Sequence, residues 1–237
     1  MGKSLSELRN FAVDKKGESE TVYAYFFLRR LSPFFTWIFL RSGASANMVT
    51  ILGLLIAVAG SFMFYSTSLV YWVIGWAMYQ LYYVLDCSDG EIAVLTDSTS
   101  DFGGFLDRIS HPITNSLIIY VSAFGAYRMT GSVLLLAFSA SGGIMFTLLS
   151  LLGEYGNDEA HSGGYSPSNK NIVLKAIDTG KHLVTSPGGI THPLTGFLAL
   201  DAITGGSWRI FYPVAASMAA IFLVIKRFRS IKEDMKQ

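Results

Sequence analysis

Apolar residues along this chain gather into long runs separated by short polar breaks, a spacing that predicts helices throughout. Six runs reach or approach the roughly 20 residues a helix needs to cross a bilayer. They fall at 47–67, 69–93, 102–127, 131–153, 183–203 and 208–228. The fifth is interrupted by Ser186-Pro187-Gly188-Gly189 and by His192-Pro193. Broken helices at membrane depth are tolerated where they are buried in protein or line a cavity. The third run opens on polar residues, as expected if its start lies in a wetted site. Ahead of the six, residues 21–42 are aromatic and basic and are broken by Pro33. That composition suits helices lying in the interface, with Arg29, Arg30 and Arg41 toward lipid phosphates. The stretch 154–182, rich in Gly, Ser, Asn and Lys, reads as a connection rather than a domain. The expected fold is therefore all-α: an integral membrane bundle of six transmembrane helices with an N-terminal interfacial amphipathic helix. Its parts would be a cytoplasmic N-terminal and interfacial segment at 1–46, the six-helix domain at 47–229 and a cytoplasmic tail at 230–237.

Composition agrees with this layout. Apolar residues make up 51% of the chain and charged residues 15%, against about 25% charged in soluble domains. Met1–Glu20 is polar and mixed in charge, so it does not read as a secretory signal. The single cysteine, Cys87, excludes an intramolecular disulfide. It reads as a small buried filler, with a metal thiolate as the alternative. The net charge of +1 gives no hint of a nucleic-acid partner. It also hides an asymmetry. Lys3, Arg9, Lys15, Lys16, Arg29, Arg30 and Arg41 precede the first run, and Lys170, Lys175 and Lys181 lie between the fourth and fifth. Lys226, Arg227, Arg229, Lys232 and Lys236 close the chain, whereas the opposite side carries only Arg128 and Arg209. The positive-inside bias puts both termini in the cytoplasm, and with them the polar ends of the second and third runs.

Those ends carry the chemistry. Asp86-Cys87-Ser88-Asp89-Gly90-Glu91-Ile92-Ala93 closes the second run, and Gly103-Gly104-Phe105-Leu106-Asp107-Arg108-Ile109-Ser110-His111 opens the third. Ionisable groups at such depth are costly and usually line a functional cavity. Asp86 and Asp89 are spaced i, i+3, and Asp107 and His111 i, i+4, so each pair shares a helix face. At 1.5 Å per residue, Asp86 lies about 25 Å along its helix and Asp107 about 9 Å along the antiparallel next one, which brings both sets to a similar depth. Ser100 or Asp101 is a plausible N-cap between them. Asp86, Asp89 and Asp107 are candidate metal ligands, because Mg²⁺ and Mn²⁺ take carboxylate oxygens and neutralise phosphates. The competing reading is that these aspartates cap helix ends or pair with Arg108 and the basic tail. Gly90, Ala93 and Gly103 continue the carboxylate faces with small side chains. They leave room for a nucleotide or simply for close helix packing.

Written as a pattern, the segment is D-x2-D-G-x2-A-V-x8-G-x3-D-x3-H, preceded by Asn47-x-x-Thr50. It resembles the CDP-alcohol phosphotransferase signature, D-x2-D-G-x2-A-R-x(7–9)-G-x3-D-x3-D. Two positions depart: Val94 stands where the family has Arg, and His111 where it has a fourth Asp. The resemblance implies a membrane enzyme that binds a CDP-linked donor with Mg²⁺ or Mn²⁺, as two ions. It implies that Asp86, Asp89 and Asp107 hold the metal, and that Gly90, Ala93 and Gly103 sit against the nucleotide, with Asn47 and Thr50 closing the pocket. For Asn47 and Thr50 an N-cap plus a polar entry residue is the alternative. At His111 the family's residue is thought to act as general base, and imidazole as a side-chain type titrates near neutral pH. A fourth metal ligand, a phosphorylated nucleophile and a simple hydrogen-bonded helix residue remain open there. Val94 removes a cation, so either another Arg or Lys replaces it or the donor is bound differently.

The implied activity is metal-dependent transfer of a phosphate-substituted alcohol from a CDP-linked donor to an acceptor hydroxyl, with release of CMP, in phospholipid or membrane glycoconjugate synthesis. The acceptor would be a lipid, a polyol or a glycan, and a second copy of the chain is a further candidate partner. Two other classes compete: a family member that binds nucleotide or lipid without turnover, and an ion-coupled transporter. Against the transporter, the acids cluster at one surface and no inverted repeat is visible. Glu154, Asp158, His161, Lys170, Lys175, Lys181, His182 and His192 are candidates for bordering an acceptor site, although a solvated loop face suits most of them better.

Overall fold

The computed structural model describes residues 5–14, 27–154 and 191–234, and its regular elements are helices. They are α1 (Leu5–Asp14), α2 (Arg29–Ser42), α3 (Ala46–Met63), α4 (Leu69–Leu95), α5 (Asp101–Thr130), α6 (Val133–Glu154), α7 (His192–Thr204) and α8 (Tyr212–Asp234). A 3₁₀ turn at Trp208–Phe211 leads into α8. The expected all-α class holds. The helix ends are set by local chemistry: Ser45 caps α3 by accepting from the Met48 amide at 3.3 Å, and Ser100 caps α5 by accepting from the Gly103 amide at 3.1 Å.

Small residues let the central helices meet backbone to backbone. A Cβ on Gly75 would stand 2.7 Å from the Gly60 carbonyl oxygen and 2.9 Å from the Phe64 ring, so α3 and α4 touch where no side chain fits. At Gly125 the added carbon would fall 2.0 Å from the Phe64 carbonyl, which fixes α5 against the end of α3. Around these contacts sits an aromatic core of Phe64, Trp72, Tyr79, Tyr82, Tyr83 and Tyr212 with Ile118 and Ile119. The hydroxyls of Tyr79, Tyr82 and Tyr83 are bonded, as when Tyr79 donates to the Thr114 carbonyl at 2.6 Å, whereas the buried Tyr212 hydroxyl has no partner among the described residues. Polar pairs join the remaining helices. Ser116 and Thr147 bridge α5 and α6 at 2.7 Å, Ser217 of α8 donates to the Ser139 carbonyl of α6 at 3.1 Å, and the buried Asp201–Arg209 ion pair pins the turn before α8.

Outward faces are apolar on helix after helix, including Leu55 and Phe62 of α3, Val70 and Ile74 of α4, Phe124 of α5, Leu134 of α6 and Phe222 of α8. Among the described residues, α3 alone meets both the length and the hydropathy of a membrane-crossing helix, with shorter apolar stretches at Val133–Leu148 and Trp208–Phe222. α4 and α5 are longer, at 27 and 30 residues, but their carboxylates and other polar side chains lower their hydropathy.

The structure revises several local expectations. Pro33 does not break its segment. α2 runs through it, and a π turn at residues 27–28 precedes it. Arg29 faces inward rather than toward lipid and is buried, whereas Arg30 and Arg41 are exposed. The polar N-terminus forms α1, which the apolar runs did not signal, and Leu8 is buried in it. The sixth run begins as a 3₁₀ turn, and the first eight residues of the fifth (183–190) lie outside the described residues.

Candidate active site

The last turns of α4 and the first turns of α5 run antiparallel and place their carboxylates at one level, as the rise along each helix predicted. Asp86, Asp107 and His111 each bring one ligand atom within 4.8 Å of the others. His111 Nε2 stands 3.5 Å from Asp86 Oδ1 and 3.7 Å from Asp107 Oδ1. Asp107 is the most open of the three, with 57% of its side chain exposed. Asp89, expected as the third carboxylate ligand, lies just outside this trio. Its Oδ2 accepts from the Thr50 hydroxyl at 2.5 Å, an interaction that ties α4 to α3.

A cavity of about 430 Å³ opens over the cluster, within the range of small-ligand sites. The candidate site residues of the motif line it: Asn47, Thr50, Asp86, Asp89, Gly90, Ala93, Gly103, Asp107 and His111. Ser98, Thr99 and Ser100, from the turn between α4 and α5, complete the rim. Asn47 is not the cap of α3, since Ser45 fills that role. It packs instead against α5, and a Cβ on Gly103 would meet Asn47 Oδ1 at 3.0 Å. Cys87 also lines the cavity and is partly buried against the aromatic core.

Val94 is exposed and absent from the cavity wall. The one Lys or Arg lining the cavity among the described residues is Arg29, from α2. Its Nη1 donates to Glu91 Oε1 at 2.9 Å. The same carboxylate accepts from the Ser32 hydroxyl and, through Oε2, from the Thr36 hydroxyl, each at 2.6 Å. All four partners are buried. Glu91 thus fastens α2 to the motif helix, and Ser88 adds a bond to the Ser32 carbonyl at 3.2 Å. The motif reading passed over Glu91 because it occupies a variable position. A signal was nevertheless present, since Arg29, Ser32 and Thr36 recur at i, i+3 and i+7 on one face of an otherwise aromatic helix.

Tyr82, also passed over, reaches His111 Nδ1 with its hydroxyl at 3.2 Å. Of the other acceptor-site candidates, His192 opens α7 and does not line the cavity. Asp158, His161, Lys170, Lys175, Lys181 and His182 lie outside the described residues, as does the Glu154 side chain.

Comparison with known proteins places this geometry in a family. The family model of CDP-alcohol phosphatidyltransferases matches residues 44–225. The phosphatidylinositol phosphate synthase of Streptomyces avermitilis is 37% identical to the chain over 104 residues, which cover 44% of this chain and 39% of that protein.

Proposed function

Because this chain belongs to the CDP-alcohol phosphatidyltransferase family, we propose that it transfers a phosphatidyl group from a CDP-linked donor to an acceptor hydroxyl and releases CMP. The observation that carries this reading is the convergence of Asp86, Asp107 and His111, from two helices, on the floor of one cavity. The name of the Streptomyces relative supports a phosphatidylinositol phosphate-type product, and hence an inositol phosphate or related polyol as acceptor. The apolar outer faces support a multi-pass membrane protein, read here as six spans, and the distribution of Lys and Arg supports a site and both termini at the cytoplasmic face.

Two carboxylate oxygens so close together, beside the His111 imidazole, suit Mg²⁺ or Mn²⁺. Asp86 and Asp107 would hold the ion, with Asp89 available for a second. Bound there, the metal neutralises and polarises the diphosphate of the donor. The chain itself supplies three things. Arg29, held by Glu91, offers the donor phosphates the cation that Val94 does not. Gly90, Ala93 and Gly103 keep the walls low beside the nucleotide. His111 Nε2, level with the carboxylates, takes the acceptor's proton as its oxygen bonds to the phosphatidyl phosphorus and the bond from that phosphorus to CMP breaks. Positioning and charge neutralisation would account for most of the acceleration.

The test is CMP release by the purified protein. CDP-diacylglycerol with inositol phosphate and simpler polyols should release CMP, EDTA should stop it, and Mg²⁺ or Mn²⁺ should restore it. If no CDP-linked donor yields CMP under any of these conditions, the chain is a binding member of the family and the proposal fails.

A further inference from the structure

His111 is held from behind by a short chain of buried hydroxyls whose hydrogens can be assigned. Ser110 Oγ lies 2.8 Å from the Asp107 carbonyl oxygen. A carbonyl only accepts, so the Ser110 hydrogen is committed to it. Tyr82 Oη lies 3.2 Å from Ser110 Oγ, and with the serine's hydrogen already used, the hydrogen in that contact belongs to Tyr82. Tyr82 Oη also lies 3.2 Å from His111 Nδ1. Its single hydrogen now points at Ser110, so the hydrogen between tyrosine and imidazole comes from the ring. Neighbouring Thr114 offers no way out, because its hydroxyl donates to the Ser110 carbonyl at 2.9 Å. Ser110 and Tyr82 are at most 1% exposed, so water does not complete either hydroxyl. One arrangement puts a hydrogen in every contact: Nδ1–H to Tyr82, Tyr82 to Ser110, Ser110 to the backbone.

We propose that Tyr82 and Ser110 are positioning residues that lock His111 in the tautomer protonated on Nδ1, leaving the Nε2 lone pair toward Asp86 and Asp107. The inference rests on the base reading of His111 and explains how the ring can serve it. The opposite tautomer would present Nε2–H to the two carboxylates, satisfying them but leaving no lone pair for the acceptor. With the hydrogen held behind the ring, Nε2, 3.5 Å from Asp86 and 3.7 Å from Asp107, can receive a hydroxyl proton. The resulting imidazolium then keeps both of its N–H groups paired, one on Tyr82 and one on the carboxylates. Such a lock is specific to a chain with His at this position, because a carboxylate has no tautomer to choose.

Nitrogen-15 spectra of histidine-labelled protein at alkaline pH, where imidazole is neutral, read the tautomer directly, with the His111 signal identified by its loss in His111→Ala. The expected wild-type signal is that of the Nδ1–H form. In Tyr82→Phe, which keeps the ring and removes only the hydroxyl, the signal should move toward the Nε2–H form. The turnover should fall roughly 10- to 100-fold with the donor KM unchanged, the size seen when an outer partner of an active-site histidine is removed. Wild-type protein in the Nε2–H form overturns the proposal without any variant. So does a Tyr82→Phe enzyme whose tautomer and turnover both match wild type. If His111→Ala retains full turnover, the base reading fails instead, while the spectra still decide whether the lock exists.

Discussion

His111 and Val94 are the two residues at which this chain leaves the family signature, and the structure gives them different weights. Val94 points away from the cavity, so Val94→Arg should change donor KM less than about threefold, as surface changes usually do. Arg29→Gln should raise donor KM about tenfold or more, because it removes the one Lys or Arg lining the cavity among the described residues and a charge-assisted contact is worth about 1.5–3 kcal/mol. Steady-state kinetics with CDP-diacylglycerol separate the two, and an unchanged KM in Arg29→Gln would send the search for the missing cation elsewhere. Asp86→Asn and Asp107→Asn should each abolish CMP release while the protein still inserts, since each removes a converging ligand oxygen. His111→Ala should lower turnover by roughly 10²–10⁴, and His111→Asp should recover part of it, because carboxylate is what the signature carries there. That Asp86 and Asp89, and Asp107 and His111, share helix faces was readable from spacing, since i, i+3 and i, i+4 patterns report one helix face. Arg29 and Tyr82 were not, because their roles depend on which helices meet, and Arg29 lies 62 positions from its partner Glu91.

At the scale of elements, the polar punctuation of the chain was a good guide where it coincided with capping chemistry. The third run was expected from residue 102 with Ser100 or Asp101 as its cap, and α5 begins at Asp101 behind Ser100. The guide failed where a local rule met tertiary support. Pro33 looked like a breaker, yet α2 continues through it because Ser32 and Thr36, on either side, are anchored on Glu91. The weight carried by close helix contacts can be measured. Gly75→Val should lower the unfolding midpoint in detergent, because its side chain would meet the Gly60 carbonyl and the Phe64 ring. Overpacking of this kind typically costs about 1–3 kcal/mol. Gly104→Ala, where the added carbon meets nothing within 4 Å, is the matched control, and equal midpoints for the two variants would show that α3 and α4 can separate without penalty.

For the molecule as a whole, the apolar belt on α3, α4, α5, α6 and α8 is a surface that water does not favour, and the distribution of Lys and Arg predicts its direction. In a Cys87→Ser background, single cysteines replacing Ser4, Ser168 and Ser230 should all react with an impermeant thiol reagent from the cytoplasmic side. Reaction of the Ser168 variant from outside only would reverse the topology and move the carboxylates to the wrong face. The number of spans was less legible than the fold class, because the helices that build the site carry the polar residues that hydropathy penalises. One consequence concerns how the chain can be cut and recombined. The Glu91 latch joins the family motif to residues that precede it, and the matched family region starts at 44, past Arg29, Ser32 and Thr36. A chimera that begins at the conserved boundary would therefore inherit an acid with its counter-charge left behind, and stranding one partner of a buried pair costs about 3–5 kcal/mol. Glu91 and α2 form a unit of inheritance: a graft of this bundle onto another leader must carry α2 with it or replace Glu91.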